Sequence, residues 1–169
     1  MNQEKQVIIV DQQDNEIGVV PRSEHDKHIY RVSALWVTNS QGQFLIAQRA
    51  FTKKHHPGKW GPAVAGTVDE GETYLSNIIK EAQEEIGIEI VERDLILGPK
   101  TDTLDKKYRH FVQWYFYRTD MPLHEFKISQ DEVADIRWFT KEEVEKEPEI
   151  FLDSLIDKIA LLENYKIQD

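Results

Sequence analysis

GTVDEGETYLSNIIKEAQEEIGI, residues 66–88, changes character partway along. Residues 67–72 hold Gly71 among polar neighbours, a turn composition. Glu72-Thr73 then leads into an unbroken helical pattern that stops at Gly87, a residue type suited to the C′ position. Asp69, Glu70 and Glu72 are expected around the first helical turn, at the positive end of the helix dipole. Tyr74, Leu75, Ile78, Ile79, Ala82 and Ile86 recur at helical spacing and make one apolar stripe, an arc of roughly 140° at about 100° per residue. Glu81 falls at one edge of the arc, Glu85 inside it, and Glu84 further round within reach of both. A carboxylate on a buried face is costly unless it is paired or coordinates a metal, and carboxylates at these spacings repel one another. A cation held by Glu81, Glu84 and Glu85 resolves the conflict. All-oxygen ligands on a partly open surface suit a hard ion, Mg²⁺ or Mn²⁺. The alternative is a solvated acidic helix with Lys80 as partial relief; the place of Glu85 against the stripe counts against it.

The chain has 169 residues, the length of one domain. We divide 1–169 into an N-terminal hairpin extension (1–30), a core (31–139) and C-terminal helices (140–169). Hydrophobic residues at 40% and charged residues at 31% are ordinary for a globular protein. A net charge of −10 argues against nonspecific binding of nucleic acid or anionic membranes. It is compatible with a small phosphorylated substrate, because a bound cation and a few basic residues reverse the field locally. The absence of cysteine excludes a disulfide, a thiolate zinc site and a cysteine nucleophile. MNQEKQVIIV lacks a long apolar segment with a cleavage signature, and no run approaches a membrane span, so a cytoplasmic protein is expected.

Outward from the central stretch, the remaining segments read as a sheet and its connections. Val7 to Val10 and Ile17 to Val20, joined through Asp14-Asn15, predict a small hairpin. Residues 22–28 are a short helix or loop. RVSALWVTN (31–39) and QFLIAQR (43–49) predict a second hairpin around Ser40-Gln41-Gly42. AFTKKHHPGKWG (50–61) is a basic loop with a strong turn at Pro57-Gly58. Its charges are either solvated or, with Arg49, Lys53 and Lys59 foremost, placed to meet substrate phosphates. Residues 89–97 predict a strand ended by Gly98-Pro99. HFVQWYFY (110–117) predicts a buried central strand, and VADIRWF (133–139) another. Thr140 and Glu143 make a capping box, and an apolar stripe across residues 149–165 predicts a last helix that packs on the sheet. Tyr30, Trp36, Trp60, Tyr108 and Phe111 either stack on a base or fill the core. Strands, one helix, more strands and two helices give an α/β fold, a mixed central sheet with helices on its faces, or α/β/α sandwich.

The central stretch resembles the Nudix box of the Nudix hydrolases. The glycine and glutamate that open that box, its Arg-Glu pair, the aliphatic position, the Glu-Glu pair and the closing glycine with its aliphatic residue meet Gly66, Glu72, Lys80-Glu81, Ala82, Glu84-Glu85 and Gly87-Ile88. One position departs: Lys80 stands where the box has arginine. The resemblance covers roughly residues 31–139 and implies the same sandwich fold. It also implies a loop-helix-loop that binds Mg²⁺ or Mn²⁺ and cleaves a pyrophosphate, most commonly a nucleoside diphosphate linked to another moiety. By the same resemblance Glu81, Glu84 and Glu85 hold the metal, with the Gly66 carbonyl as a further ligand, and Glu72 pairs with the box cation to orient loop and helix. Lys80 keeps that charge and loses the bidentate fork. The loop before the last strand often supplies an extra acid, here Glu132. The general base stays open between Glu81 or Glu84 of the box and Glu132 or His110 outside it.

The order VDQQDNEIG, RVSALWV, FLIAQR and HHPGKW is similar to the isopentenyl-diphosphate isomerase branch of the same superfamily. That isomerase needs a cysteine, and PAVAG (62–66) stands where it would be expected. A hydrolase is therefore the expectation, with a nucleotide-sensing module without turnover, or the isomerase, as alternatives. Homodimers are frequent in the family.

Overall fold

In the computed structural model of the protein, which describes residues 2–153 and 155–166, one strand carries the assembly. This is β3 (Ile29–Thr38). Along one edge it pairs in parallel with β8 (His110–Arg118), from Tyr30 opposite His110 to Thr38 opposite Arg118. Its other edge is shared by three antiparallel partners. β1 (Gln6–Val10) takes Ile29 and Tyr30, β6 (Val64–Thr67) takes Val32 to Leu35, and β4 (Phe44–Arg49) takes Val37 and Thr38. β2 (Glu16–Pro21) lies outside β1, β5 (Trp60–Pro62) and β9 (Val133–Phe139) pair with β4, and β7 (Ile96–Asp102) lies outside β8. The result is one nine-stranded mixed sheet.

Side chains alternate across a strand, and that alternation builds two layers. Leu35, Val37, Leu45 and Tyr115 face α1 (Tyr74–Ile86) and its residues Ile78, Ala82 and Ile86. Ala34, Trp36, Phe44, Ile46, Trp114 and Phe116 face the opposite way, onto Val144 of α2 (Lys141–Lys146) and Leu155, Ile159 and Leu162 of α3 (Leu155–Lys166). The α/β/α arrangement expected from the element order is the one observed. A thirteen-residue helix such as α1 is marginal alone in water. Burial of Ile78 and Ile86, both 0% exposed, contributes about 1.5–3 kcal/mol for each side chain and holds it on the sheet. Among the described residues no helix is long and apolar enough to cross a membrane.

Several local expectations are corrected. Asp69, Glu70 and Glu72 precede the first turn of α1 instead of occupying it. Thr73 is the N-cap, its side chain accepting from the Ser76 amide at 3.0 Å while the Ser76 hydroxyl accepts from the Thr73 amide at 2.9 Å; this reciprocal cap starts the helix after the acids. The strand expected over 89–97 begins only at Ile96, after a 3₁₀ turn at Glu92–Asp94, and runs on through Gly98-Pro99. A register shift between Leu97 and Lys100 absorbs the proline, which has no N–H for the ladder, and Gln113 Nε2 donates to the Gly98 carbonyl at 2.9 Å. Ile88 and Ile90 fill the core beside α1 from irregular backbone.

The hairpin of β3 and β4 is confined to two residue pairs at its tip, because β6 occupies the middle of that edge of β3. Neither β5 nor β6 is anticipated in the sequence: each is short and flanked by proline or glycine. The last helix does not begin near residue 149. Pro148–Ile150 is a 3₁₀ turn, Phe151 bridges to Trp60, and the Leu152 amide donates to the Trp60 carbonyl at 2.8 Å. Helix α3 therefore begins at Leu155. Residues 167–169, which the sequence assigns to the C-terminal helices, lie outside the described residues.

Candidate active site

Helix α1 crosses the sheet over β6, and that crossing assembles the carboxylates. At its C-terminus Gly87 adopts a φ of 71°, and its N–H caps the carbonyls of Ala82 and Gln83. At β6, a Cβ on Gly66 would stand 2.3 Å from Glu81 Cγ, so only glycine lets Glu81 lie against the strand. One turn on, Glu85 is 9% exposed, and its Oε2 accepts from the Ala65 amide at 3.4 Å. Glu84 faces solvent beside them. Gly66, Glu81 and Glu85 are thus brought together, with Glu84 at the rim.

Electrostatics at this point are unbalanced. Burial pushes the Glu85 carboxyl up to about 8, helped by Glu81 and Glu132 and opposed by the Ala65 amide and Lys53. Burial also raises Glu81, against the pull of Lys80 and with further repulsion from Glu84. Lys80 Nζ stands 3.4 Å from Glu81 Oε1, whereas no cation lies within ion-pair distance of Glu85 among the described residues.

A second group approaches from the ends of β4 and β9. Arg49 closes β4, and its Nε donates to the His55 carbonyl at 2.9 Å. Burial lowers the Arg49 guanidinium, while Glu85 and Glu132 act in the other direction. The Ala50 amide donates to the Glu132 carbonyl at 3.0 Å, which sets Glu132 at the mouth of the site, where its carboxylate pairs with Lys53. Lys59 is drawn elsewhere: its ammonium donates to the backbone carbonyl of Glu149. Of the three basic residues expected at the phosphates, the structure gathers Arg49 and Lys53 near Glu85 and Glu132 and ties Lys59 to the C-terminal segment.

The loop before α1 is held from within. Glu72 pairs with Lys80, and its other oxygen accepts from the Asp69 amide at 3.0 Å and from Asn77 Nδ2 at 2.8 Å. Burial would raise the Glu72 carboxyl, but Lys80 and these hydrogen bonds bring it below its ordinary value. Asn77 is 0% exposed and also donates to the Thr67 carbonyl at 3.0 Å; its buried Oδ1 has no partner. Sequence reasoning passed over Asn77 and treated Asp69 as a helix-dipole acid. At about 100° per residue Asn77 falls roughly 60° outside the apolar arc, between Glu81 and Glu84, so the periodicity carried no signal for its burial.

His110 does not join the carboxylates. It is on the face of β8 shared by Val112 and Trp114, away from α1, with its ring 5.1 Å from Tyr30 and its Nδ1 3.2 Å from Thr103 Oγ1. Burial, then Lys158 and His25, lower it to about 4. Tyr108 stacks edge-on to His55. Trp36, Trp60 and Phe111 are core residues, each less than a tenth exposed.

Among the described residues no three acidic or histidine side chains already converge into a metal cage. The donor set is open: the buried carboxylate of Glu85, the partly buried one of Glu81, a third on the helix surface, and a glycine backbone at their base. Two carboxylates whose proton affinity is raised by burial and mutual repulsion fit a hard divalent cation, which removes the repulsion on binding.

The chain resembles known proteins at three levels. Over 89 residues the chain is 34% identical to an isopentenyl-diphosphate Delta-isomerase of Klebsiella pneumoniae, covering 51% of this chain and 48% of that one. It therefore spans about half the length of the isomerase relatives it matches. Over 121 residues it is 34% identical to an uncharacterized Nudix hydrolase of Listeria monocytogenes, covering 69% and 67% of the two chains. A crystal structure of a Deinococcus radiodurans protein superposes with a TM-score of 0.81 at 22% identity, over 94% of this chain and 99% of that one, a likeness of fold. The model of the NUDIX domain matches residues 27–158, a span that holds β3 to β9, the loop and α1 with all its carboxylates, and the chain belongs to the Nudix family.

Proposed function

We propose that the protein is a metal-dependent pyrophosphohydrolase acting on a small molecule, with a nucleoside diphosphate linked to another moiety as the substrate class. The observation that carries this reading is Glu85, a carboxylate 9% exposed and seated beside Glu81 without a cation of its own. Membership of the family and the likeness to a Nudix hydrolase support it.

A divalent ion here would neutralise charge on the non-bridging phosphate oxygens and lower the pKa of a bound water. Glu81, Glu84 and Glu85 would hold it, with the Gly66 carbonyl as a further ligand. Arg49 and Lys53 would face the phosphates. In the free protein Lys53 is occupied by Glu132; a phosphate that takes over Lys53 frees Glu132 as an acid-base group at the mouth. Glu84 is the exposed member of the box set and the first choice to accept a proton from the attacking water, ahead of Glu132. Glu72 and Lys80 orient the loop.

The identity to isomerases makes prenyl diphosphates a class to test. The absence of cysteine and the buried Ala63 in the 62–66 segment, 1% exposed, oppose isomerisation. We treat residues 1–169 as one domain of a cytoplasmic enzyme. A homodimer is supported by exposed apolar residues on the edge strands β2 and β7, Ile17 at 63% and Leu97 at 61%.

The test is phosphate release, coupled through a phosphatase, over nucleotide sugars, dinucleoside polyphosphates, nucleoside triphosphates and prenyl diphosphates, for wild type and Glu84→Gln with Mg²⁺. Turnover of one class that is lost in Glu84→Gln supports the hydrolase. Metal-dependent binding without turnover of any class puts a nucleotide sensor in its place.

A further inference from the structure

Lys80 is the only basic residue of the stretch 66–88, and three carboxylates compete for it. Its single ammonium pairs with Glu72, lies 3.4 Å from Glu81 Oε1 and 3.7 Å from Asp69 Oδ2. An ammonium has three donors on one point charge and no planar fork, so it cannot serve three carboxylates at optimal geometry. Asp69 is the most demanding of them, with a side chain only 13% exposed.

The N-terminal hairpin relieves this competition. Arg22 follows β2, and its guanidinium donates to Asp69 Oδ1 at 3.1 Å; Lys5, just before β1, stands 3.6 Å from Asp69 Oδ2. The same strand stitches the loop by its backbone. The Ile8 amide donates to the Val68 carbonyl at 3.3 Å, the Glu70 amide to the Gln6 carbonyl at 2.8 Å, and Val7 bridges to Asp69. Arg22 itself is placed by its own amide, which donates to the Lys5 carbonyl at 2.9 Å, and by the Ser23 amide on Glu4 Oε1 at 2.7 Å.

We propose that Arg22 is a positioning residue of the active site: by taking Asp69, it leaves the Lys80 ammonium to Glu72 and Glu81 and so fixes the loop that carries the carboxylates. Without Arg22, Asp69 draws Lys80 off Glu81 and Glu72, and the loop loosens although no carboxylate has been removed. The link to metal rests on the ligand role proposed above for Glu81. The link to loop order does not.

The experiment uses wild type, Arg22→Ala, Lys80→Arg and the double variant, with two readouts on the full chain. The first is amide hydrogen exchange of residues 67–72 in the metal-free protein. The second is Mn²⁺ affinity by calorimetry. Arg22 is partly exposed, so the expected loss is modest: roughly threefold to tenfold faster exchange and weaker Mn²⁺ binding. A guanidinium at position 80 has five donors and can hold Asp69 and Glu72 together. The double variant should therefore return to within about twofold of wild type in both readouts. Unchanged exchange in Arg22→Ala, or a loss that Lys80→Arg does not reverse, overturns the proposal. Wild type that binds no Mn²⁺ refutes the metal reading, and the exchange data then decide the role of Arg22 alone.

Discussion

Glu85→Gln should make the metal-free protein more stable, by an amount that grows as pH rises from about 4.5 to about 8. The carboxyl sits at about 8 in the folded protein against an ordinary 4.5, chiefly through burial. Between those values the folded state keeps the proton and the unfolded chain does not. The contribution to stability is therefore fully present below about 4.5 and is lost as pH rises through about 8. At roughly 1.4 kcal/mol for each pH unit the gap corresponds to about 5 kcal/mol, which local relaxation and water entry reduce to about 2–4 kcal/mol. Glutamine has the shape of the protonated acid and loses nothing on this account. Thermal unfolding in chelator should give nearly equal Tm values for wild type and variant at pH 5. At pH 8.5 the variant should melt higher by roughly 5–15 °C, at about 2–4 °C for each kcal/mol. Added Mn²⁺ should then raise wild type alone. A variant that is less stable at pH 8.5, or a difference identical at the two pH values, would falsify the account of a buried, uncompensated carboxylate.

Three further outcomes are expected. Gly66→Ala puts a Cβ 2.3 Å from Glu81 Cγ, which should cost about 1–3 kcal/mol in chemical denaturation and weaken Mn²⁺ binding at least about tenfold; wild-type values for both would mean that Glu81 does not lie against the strand. The His110 ring, lowered by burial from 6.5 to about 4, should remain neutral in NMR titration at pH 5.5. Since the unfolded chain takes up that proton first, its contribution to stability falls as pH drops from about 6.5 to about 4, and a ring already charged at pH 5.5 contradicts the burial. Thr73→Ala removes the N-cap of α1 and should lower stability by about 1 kcal/mol without changing the pH dependence of Tm; an unchanged Tm would show that the cap contributes nothing.

The features legible in the sequence are those written in short-range periodicity. The stripe of α1 placed Ile78, Ala82 and Ile86 inside, and the same arc placed Glu85 with them; all four are buried. Aromatic and β-branched runs marked β3 and β8, and the composition of Thr140 to Glu143 marked the start of α2. What was not legible depends on partners far along the chain. The strand β6 exists because β3 offers it an edge, and its residues carry no pattern of their own. Asp69 suggested a helix-dipole acid until Arg22 and Lys5, contributed by the hairpin, met it. His110 looked like a candidate base because residue type says nothing about which face of the sheet it occupies. Lys59 likewise belongs to a basic loop in sequence and to the C-terminal segment in space.

The way β3 shares its edges also bears on how the chain folds. From Tyr30 to Thr38 it pairs with β8, so Tyr30 must meet His110, and the closure encloses β4, β6 and α1 with everything they carry. Contacts of such long sequence separation form late and slowly. A nascent chain that has displayed the loop and α1 but not yet β8 has no finished sheet against which to bury Ile78, Ile86 or Glu85. The carboxylate cluster of α1 should thus appear together with the global fold, not ahead of it. A bound cation would then act as a latch on the whole domain, slowing unfolding everywhere at once.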